Sequence, residues 1–510
     1  MSAAEQDLAK VLEHLLAHSA AEEVGGVLER LGRGYSVPEN FGPIDPESEE
    51  PATEDQKQCP PLELLNSEGA AAIYTPLKEG EIRLVRLHPE TDECPIQCSL
   101  LNVKKSAGSE YVAISYVCKG GQSDPRTIHL NGTPWKITQN LESALLHLRD
   151  RSRNVLLWVD ALAINQNNIQ ERNNQVSIMQ RIYSGAERTI IWLTPFDDPL
   201  VALYINLANL IASNKLLIDQ VHLEEVPLWV LSCTLSISNL SYWRRVWVTQ
   251  EVMFSHDVTI RYGARAIEYH AFSDLWSRLC EKFKYLPTRL NNPTSTLLTR
   301  VAEISARMMR FGPNALPQAG SALEGKYISL YDWQNFIPWK HASDLRDTVF
   351  AYHGCFPPAV RSLIAVDYYK PVEEIWTRMT RIFIEESKSL DIILKICDKT
   401  LSLPSWVPHW ATARRSSPAT QKDICASGQL PAFYHFLDLT DILHLHGVAI
   451  GIVESVASFG IESVAFTELD RMSRASEVPG SKIKEYVDFL CRDFNIHEDS
   501  AAKDDLIAAV

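Results

Sequence analysis

The segment Tyr242-Trp243-Arg244-Arg245-Val246-Trp247-Val248-Thr249-Gln250-Glu251-Val252 brings two tryptophans, two arginines and one carboxylate into roughly three helical turns. Trp243, Trp247 and Glu251 recur at i, i+4 and i+8, a spacing that predicts one shared helical face with Arg244 and Arg245 beside it. A carboxylate stacked over aromatic rings suits a sugar or a nucleotide. The alternative is a buried helix whose Arg and Glu make internal ion pairs and whose tryptophans fill a core. Arg244 and Arg245 are sequence neighbours and cannot easily both face one pocket, so at least one is expected to be structural.

The elements that must position these groups are read from periodicity. Residues 82–87 alternate with period two, and residues 127–137 read as a hairpin turning on Asn131-Gly132. Strands are then expected at 111–117, 155–162, 189–193 and 258–262. Between them fall helices from near Thr138 (Leu141, Ala144, Leu145 and Leu148 inward), over 173–186 (Val176, Met179 and Tyr183 inward) and over 199–214, followed by the Trp/Arg/Glu helix. Apolar strands separated by amphipathic helices predict an α/β fold, a parallel sheet flanked by helices. Ligands in such sheets collect at the carboxyl ends of the strands. There the first strand ends in Ser115, Tyr116 and Cys118, and the second leads into Asp160, Asn165, Gln166, Asn167 and Asn168. Asp160 is equally suited to bonding backbone amides of the next loop. No G-x-G-x-x-G, P-loop, G-x-S-x-G or H-E-x-x-H opens a helix, which argues against dinucleotide oxidoreductases, NTPases and the serine and zinc hydrolases those motifs mark.

Bulk properties narrow the class further. The chain has 510 residues, 45% hydrophobic and 22% charged, as in globular proteins, and a net charge of −15 that argues against nucleic acid and anionic membranes as partners. No apolar run reaches the roughly 20 residues of a membrane span, and the first residues lack a signal-peptide pattern, so a cytoplasmic location is expected. Ten cysteines are too scattered for a disulfide framework. Cys94 and Cys98 could begin a zinc site but have no second ligand pair at finger spacing, and alternation around Cys98 suggests a strand with a buried thiol. Five stretches are expected. An amphipathic helical element, 1–35, carries the stripe Leu8, Val11, Leu12, Leu15 and Leu16, resumed by Val24, Val27, Leu28 and Leu31. An acidic, Pro-rich linker covers 36–78, an α/β domain 79–265, a mainly helical extension 266–460 with periodic segments at 295–311 and 371–387 and strand-like pieces at 442–453, and a helical tail 461–510. The stripe could pack on its own protein or dock a partner through residues 1–33.

The chain resembles the fungal heterokaryon incompatibility (HET) domain. The resemblance rests on Ile82-Arg83-Leu84, on 111–117 with Ser115 and Tyr116, and on Leu157-Trp158-Val159-Asp160-Ala161-Leu162-Ala163-Ile164-Asn165-Gln166. It continues with Glu171-Arg172, Gln175-Val176, Met179, Ile182-Tyr183, Ala186 and Ile191-Trp192-Leu193, and closes on the Trp/Arg/Glu segment. The domain so identified spans 79–265 with its core at about 110–255. Residues 342–347 and Leu403-Pro404-Ser405-Trp406-Val407-Pro408 resemble segments that often follow it. The chain departs from the family pattern at Cys118, Ala163, Asn167 and Thr194, where Trp, Cys, Asp and Gly are usual.

The resemblance implies a role in growth arrest and death when unlike fungal cells fuse, and a fold related to Toll/interleukin-1 receptor (TIR) domains, a flavodoxin-like core. Some TIR domains cleave NAD with one glutamate in a W-x-x-x-E context, the relation of Trp247 to Glu251. Two functions stay open. In the first, NAD is a substrate and no cofactor is required. Glu251 stabilises the oxocarbenium character of the ribose, Trp247 or Tyr116 flanks the base, Ser115 or Asp160 positions the substrate, and Arg244 or Arg245 meets the pyrophosphate. In the second, the domain signals without catalysis, by self-association or partner binding.

Overall fold

The computed structural model describes residues 66–89, 95–104, 110–118, 125–194, 205, 208–209, 237, 240–284, 312–313, 316–337, 340–394, 401–411, 434–437 and 442–445. The chain divides into two compact units, Met1–Leu445 and His446–Val510, the second wholly outside the described residues. The expected elements at 1–35, 295–311 and 461–510, nearly all of the helix at 199–214, and Cys94 also lie outside them.

The fold is α/β, built on one nine-stranded sheet. Its strands are β1 (Glu81–Leu87), β2 (Gln97–Lys104), β3 (Val112–Tyr116), β4 (Arg126–Leu130), β5 (Thr133–Ile137), β6 (Val155–Trp158), β7 (Arg188–Thr194), β8 (Val258–Tyr262) and β9 (Arg265–Glu268). They lie in the order β5-β4-β2-β1-β6-β3-β7-β8-β9. The sheet is mixed, which corrects the expectation of a parallel one. The contiguous strands β6, β3, β7 and β8 run parallel, whereas β1 joins antiparallel to β2 and β6, β4 to β5, and β8 to β9. Two-residue turns account for the antiparallel pairs β4–β5 and β8–β9, whereas β1 turns back to β2 through the longer connection 88–96 and meets β6 from a distant part of the chain. The β4–β5 turn has positive φ at Asn131 (50°) and Gly132 (79°), the geometry Asn-Gly supplies.

Helices flank the sheet. Helix α1 (Ser67–Ile73), within the stretch read as linker, is tied to β5 by paired bonds between Asn66 and the Lys136 backbone (2.8 and 2.9 Å). Helix α2 (Gln139–Leu148) starts where Thr138 accepts from the Leu141 N–H, and it buries Leu141, Ala144 and Leu145 as its periodicity requires. The expected strand 155–162 ends at Trp158 and turns into helix α3 (Asp160–Ala163). The expected helix 173–186 is two helices, α4 (Ile169–Ser177) and α5 (Met179–Ser184), broken at Ile178. Helices α6 (Val248–Met253) and α7 (Tyr269–Lys284) complete the domain. The extension adds α8 (Leu330–Phe336), α9 (Asp347–Phe350), α10 (Pro358–Ser362) and α11 (Val372–Ser387), then the hairpin β10 (Tyr434–Phe436) and β11 (Leu443–Leu445). No described helix is long and apolar enough to cross a membrane.

Alternation along the strands divides the core. Leu84 and Ala113 enter a cluster with Trp158, Tyr183, Trp333, Trp376 and Trp410, whereas Val85, Ile114 and Tyr116 enter one with Leu141, Leu145 and Trp192. A third cluster gathers Ile191, Tyr242, Trp243, Phe272 and Trp276. The extension thus contributes to the same core as the sheet. Cys98 is a buried thiol on β2, as alternation indicated.

Numbered by their own succession in the chain, the parallel strands lie in the order 2-1-3-4, and the order reverses between β3 and β7. In open α/β sheets the crevice at such a reversal, outside the strands' carboxyl ends, is where ligands bind.

Candidate functional site

Ser115 is the penultimate residue of β3 and opens the site. It is buried, and its Oγ lies 2.6 Å from the Tyr242 hydroxyl and donates to Glu251 Oε2. A serine hydroxyl has one proton, so with that proton committed to the carboxylate the Tyr242 O–H must donate to Ser115. Arg245 completes the cluster, with Nη1 3.4 Å from Glu251 Oε2 and Nη2 3.3 Å from Oε1. Both carboxylate oxygens are therefore engaged, and Glu251 is 1% exposed.

Burial pushes the Glu251 carboxyl above its usual range, against the opposing pull of Arg245 and the Ser115 hydrogen bond. Burial also disfavours the Arg245 charge, but Glu251, Cys118 and Asp160 outweigh it and hold the guanidinium protonated. A buried pair of this kind costs desolvation that its own attraction largely offsets, so removing one partner is more damaging than the pair is stabilising.

Tyr116 and Ser115 point to opposite faces of the sheet. Tyr116 is buried among the α2-side residues, where burial first, then Cys118 and Asp160, push its phenol far above its usual range. The Cys118 thiol lies 3.7 and 3.9 Å from the two Asp160 oxygens, and burial with the nearby carboxylate pushes it up to about 12. Asp160 also accepts from the Ala161 N–H (2.8 Å), the backbone bonding allowed for above. Asn165 donates its N–H to Glu171 (2.8 Å), and the Gln166 amide reaches the Asp160 carbonyl at 3.4 Å. The loop after β6 is thus held by Glu171, which in turn pairs with the fully buried Arg83 at 2.7 Å.

The Trp/Arg/Glu segment is not one helix, a correction to the spacing argument. Residues Ser241–Arg244 form a 3-10 turn, Arg245 is extended (φ −63°, ψ 136°), and helix begins at Val248. The physical reason is a competing partner: the Arg244 carbonyl and the Val246 N–H bond to the backbone of His341. Trp243 consequently stacks with Phe272 in the third core cluster. Trp247 packs against the first cluster and donates its indole N–H to Asp347 (3.2 Å). Arg245 is the arginine that faces Glu251, while Arg244 sits in the preceding turn.

Ser115, Arg245 and Glu251, with Asp160 near them, are brought together as candidates. Tyr242, Cys118 and the residues 340–347 join them without having been singled out as site residues. Tyr242 opens the motif itself, so its position was a usable signal. Chemically, a desolvated carboxylate that already accepts a hydroxyl proton can accept a sugar hydroxyl, and a guanidinium beside it can meet a phosphate. No group of three or more His, Cys, Asp or Glu suited to a metal occurs among the described residues.

Residues 111–251 match the family model described as heterokaryon incompatibility protein (HET). Heterokaryon incompatibility protein 6, OR allele, of Neurospora crassa is 23% identical over 396 residues, covering 64% of this chain and 57% of that protein. The chain therefore spans little more than half the length of that curated relative. No solved structure matches. The matched span runs from the residue before β3 to Glu251, enclosing Ser115, Asp160 and Arg245, and it is over this span that the chain is similar to the HET domain.

Proposed function

We propose that this protein acts in fungal incompatibility, in self/non-self recognition and the programmed cell death that follows it, through a site centred on Glu251. Its HET domain and its likeness to a heterokaryon incompatibility protein support the biological role. The 2-1-3-4 order of the parallel strands supports a flavodoxin-like core, and kinship with TIR domains is what the family resemblance adds.

For the chemistry, the supporting observation is a buried carboxylate at the carboxyl end of β3, in contact with one hydroxyl and one guanidinium. In NAD cleavage the bond from nicotinamide to ribose breaks, water supplies the hydroxyl that replaces nicotinamide, and one proton is released. Glu251 would exchange Ser115 for a ribose hydroxyl and stabilise the positive charge growing on the ring. Arg245 would exchange Glu251 for the pyrophosphate. Nicotinamide leaves readily, so one carboxylate suffices.

A second reading has its own observation. Both Glu251 oxygens are occupied and the residue is sealed from water, as in a purely structural ion pair. The domain would then signal by self-association or by binding a partner, from the cytoplasm. Nicotinamide release, followed at high protein concentration with a crowding agent, separates the two. Release by the wild type that disappears in Glu251→Ala supports catalysis, and no release from assembled wild type supports the signalling module.

A further inference from the structure

Residues 340–347, which lie in the extension beyond the family-matched span, run beside 243–247 and bond to it at successive residues. Lys340 Nζ donates to the Trp243 carbonyl (2.8 Å). The His341 N–H donates to the Arg244 carbonyl (2.5 Å), and the Val246 N–H donates to the His341 carbonyl (3.1 Å), which makes a parallel bridge centred on Arg245. At the far end the Trp247 indole donates to Asp347 (3.2 Å).

That far end is itself anchored to two elements. Asp347 accepts from the Tyr368 hydroxyl (2.5 Å), and Arg172 of α4 lies 3.6 Å over the Tyr368 ring. Arg172 also reaches Asp344 at 3.2 Å, and Arg346 pairs with the same carboxylate at 2.9 Å.

The bridge explains the backbone of Arg245. Held extended between a 3-10 turn and a helix, it sends its guanidinium across both oxygens of Glu251. The binding mode proposed above, with a ribose hydroxyl in the place of Ser115 and Arg245 turned to the pyrophosphate, requires Arg245 to leave the carboxylate. With the residues on either side of it bonded to His341, the Arg245 backbone is fixed at the place from which its side chain reaches Glu251.

We propose that residues 340–347 are a strap that holds Arg245 on Glu251 and keeps the site closed at rest, so that releasing the strap opens it. The inference rests on the reading of Glu251 as the centre of a functional site, and it supplies that site's regulation. The extension thereby becomes the part of the chain on which an activating signal acts.

Carboxyl footprinting tests this without reference to NAD. The full chain is treated with a water-soluble carbodiimide and glycine ethyl ester, and labelling of each glutamate is read by mass spectrometry. Exposed Glu187 is the labelled reference, and Glu171, buried against Arg83, reports loss of the fold. His341→Pro removes the N–H that bonds Arg244, His341→Ala keeps it, and Trp247→Phe removes the indole donor together with part of the ring. The expected result is Glu251 labelling faster by roughly fivefold or more in His341→Pro, as loss of a net hydrogen bond in the strap requires. Trp247→Phe shows a smaller rise, His341→Ala one well below that of His341→Pro, and Glu171 stays protected throughout. Glu251 remaining as protected in His341→Pro as in the wild type would overturn the strap. If His341→Pro also exposes Glu171, Trp247→Phe decides: a rise at Glu251 alone supports the strap, and no rise overturns it. Because labelling needs no substrate, failure of the strap and failure of NAD cleavage are read separately.

Discussion

Glu251 holds a charge where water does not reach, and three neighbours make that tolerable: Ser115 as a direct donor, Tyr242 behind it, and Arg245 across both oxygens. Ser115→Ala removes the donor to the carboxylate and the acceptor of the Tyr242 hydroxyl in one change. A buried group left without its partner costs about 1–3 kcal/mol, so urea unfolding of Ser115→Ala is expected to show a loss in that range. An unchanged midpoint would mean that water replaces the serine and that the site is more open than its burial indicates. Glu251 and Arg245 were legible in the sequence because charges inside an aromatic run need a reason. The Trp247 partner was not, because Asp347 lies a hundred residues further along and no local period reports it. Tyr242 was passed over because a tyrosine among tryptophans reads as core, which its ring is, while its hydroxyl belongs to the site.

Among the elements, the strap and the short helix α9 that follows it carry a pH signature of their own. Burial is the main cause that raises the Asp347 carboxyl from 3.8 to about 6, with Asp344 adding to it and Tyr368, Arg172 and Trp247 opposing. A folded pKa above the unfolded one contributes stability that is fully present below the unfolded pKa and lost as pH rises through the folded value. Relative to Asp347→Asn, which does not titrate, the wild type should therefore gain up to about 3 kcal/mol as pH falls from about 7 to about 4. Urea unfolding of both proteins across that range checks it, and parallel curves would contradict it. The same elements show where periodicity misleads. A spacing of four drew Trp243, Trp247 and Glu251 onto one helix, but backbone bonds from His341 replace the helical ones at 244–246. By contrast, the β4–β5 hairpin, α2 and β8 were legible because Asn-Gly, the Thr138 cap and a short β-branched run act locally.

At the scale of the molecule, the alternation of strands and helices correctly indicated a sheet flanked by helices. It did not show that β1, β2 and β4 extend the sheet on one side, since pairing between distant strands leaves no mark on either one. β1 pairs with β6 across the intervening β2–β5, and Arg83 on it reaches Glu171. Nor did it show that the extension is built into the same core and bonds to 243–247, which makes the arrangement around Glu251 a property of the whole unit rather than of the matched span. The most direct measurement is nicotinamide release from NAD by dilute wild type, His341→Pro, and His341→Pro combined with Glu251→Ala. The account predicts little release from the wild type, faster release once the strap is cut, and none when Glu251 is also removed. No release from His341→Pro with its Glu251 opened, or release that survives loss of Glu251, would contradict it.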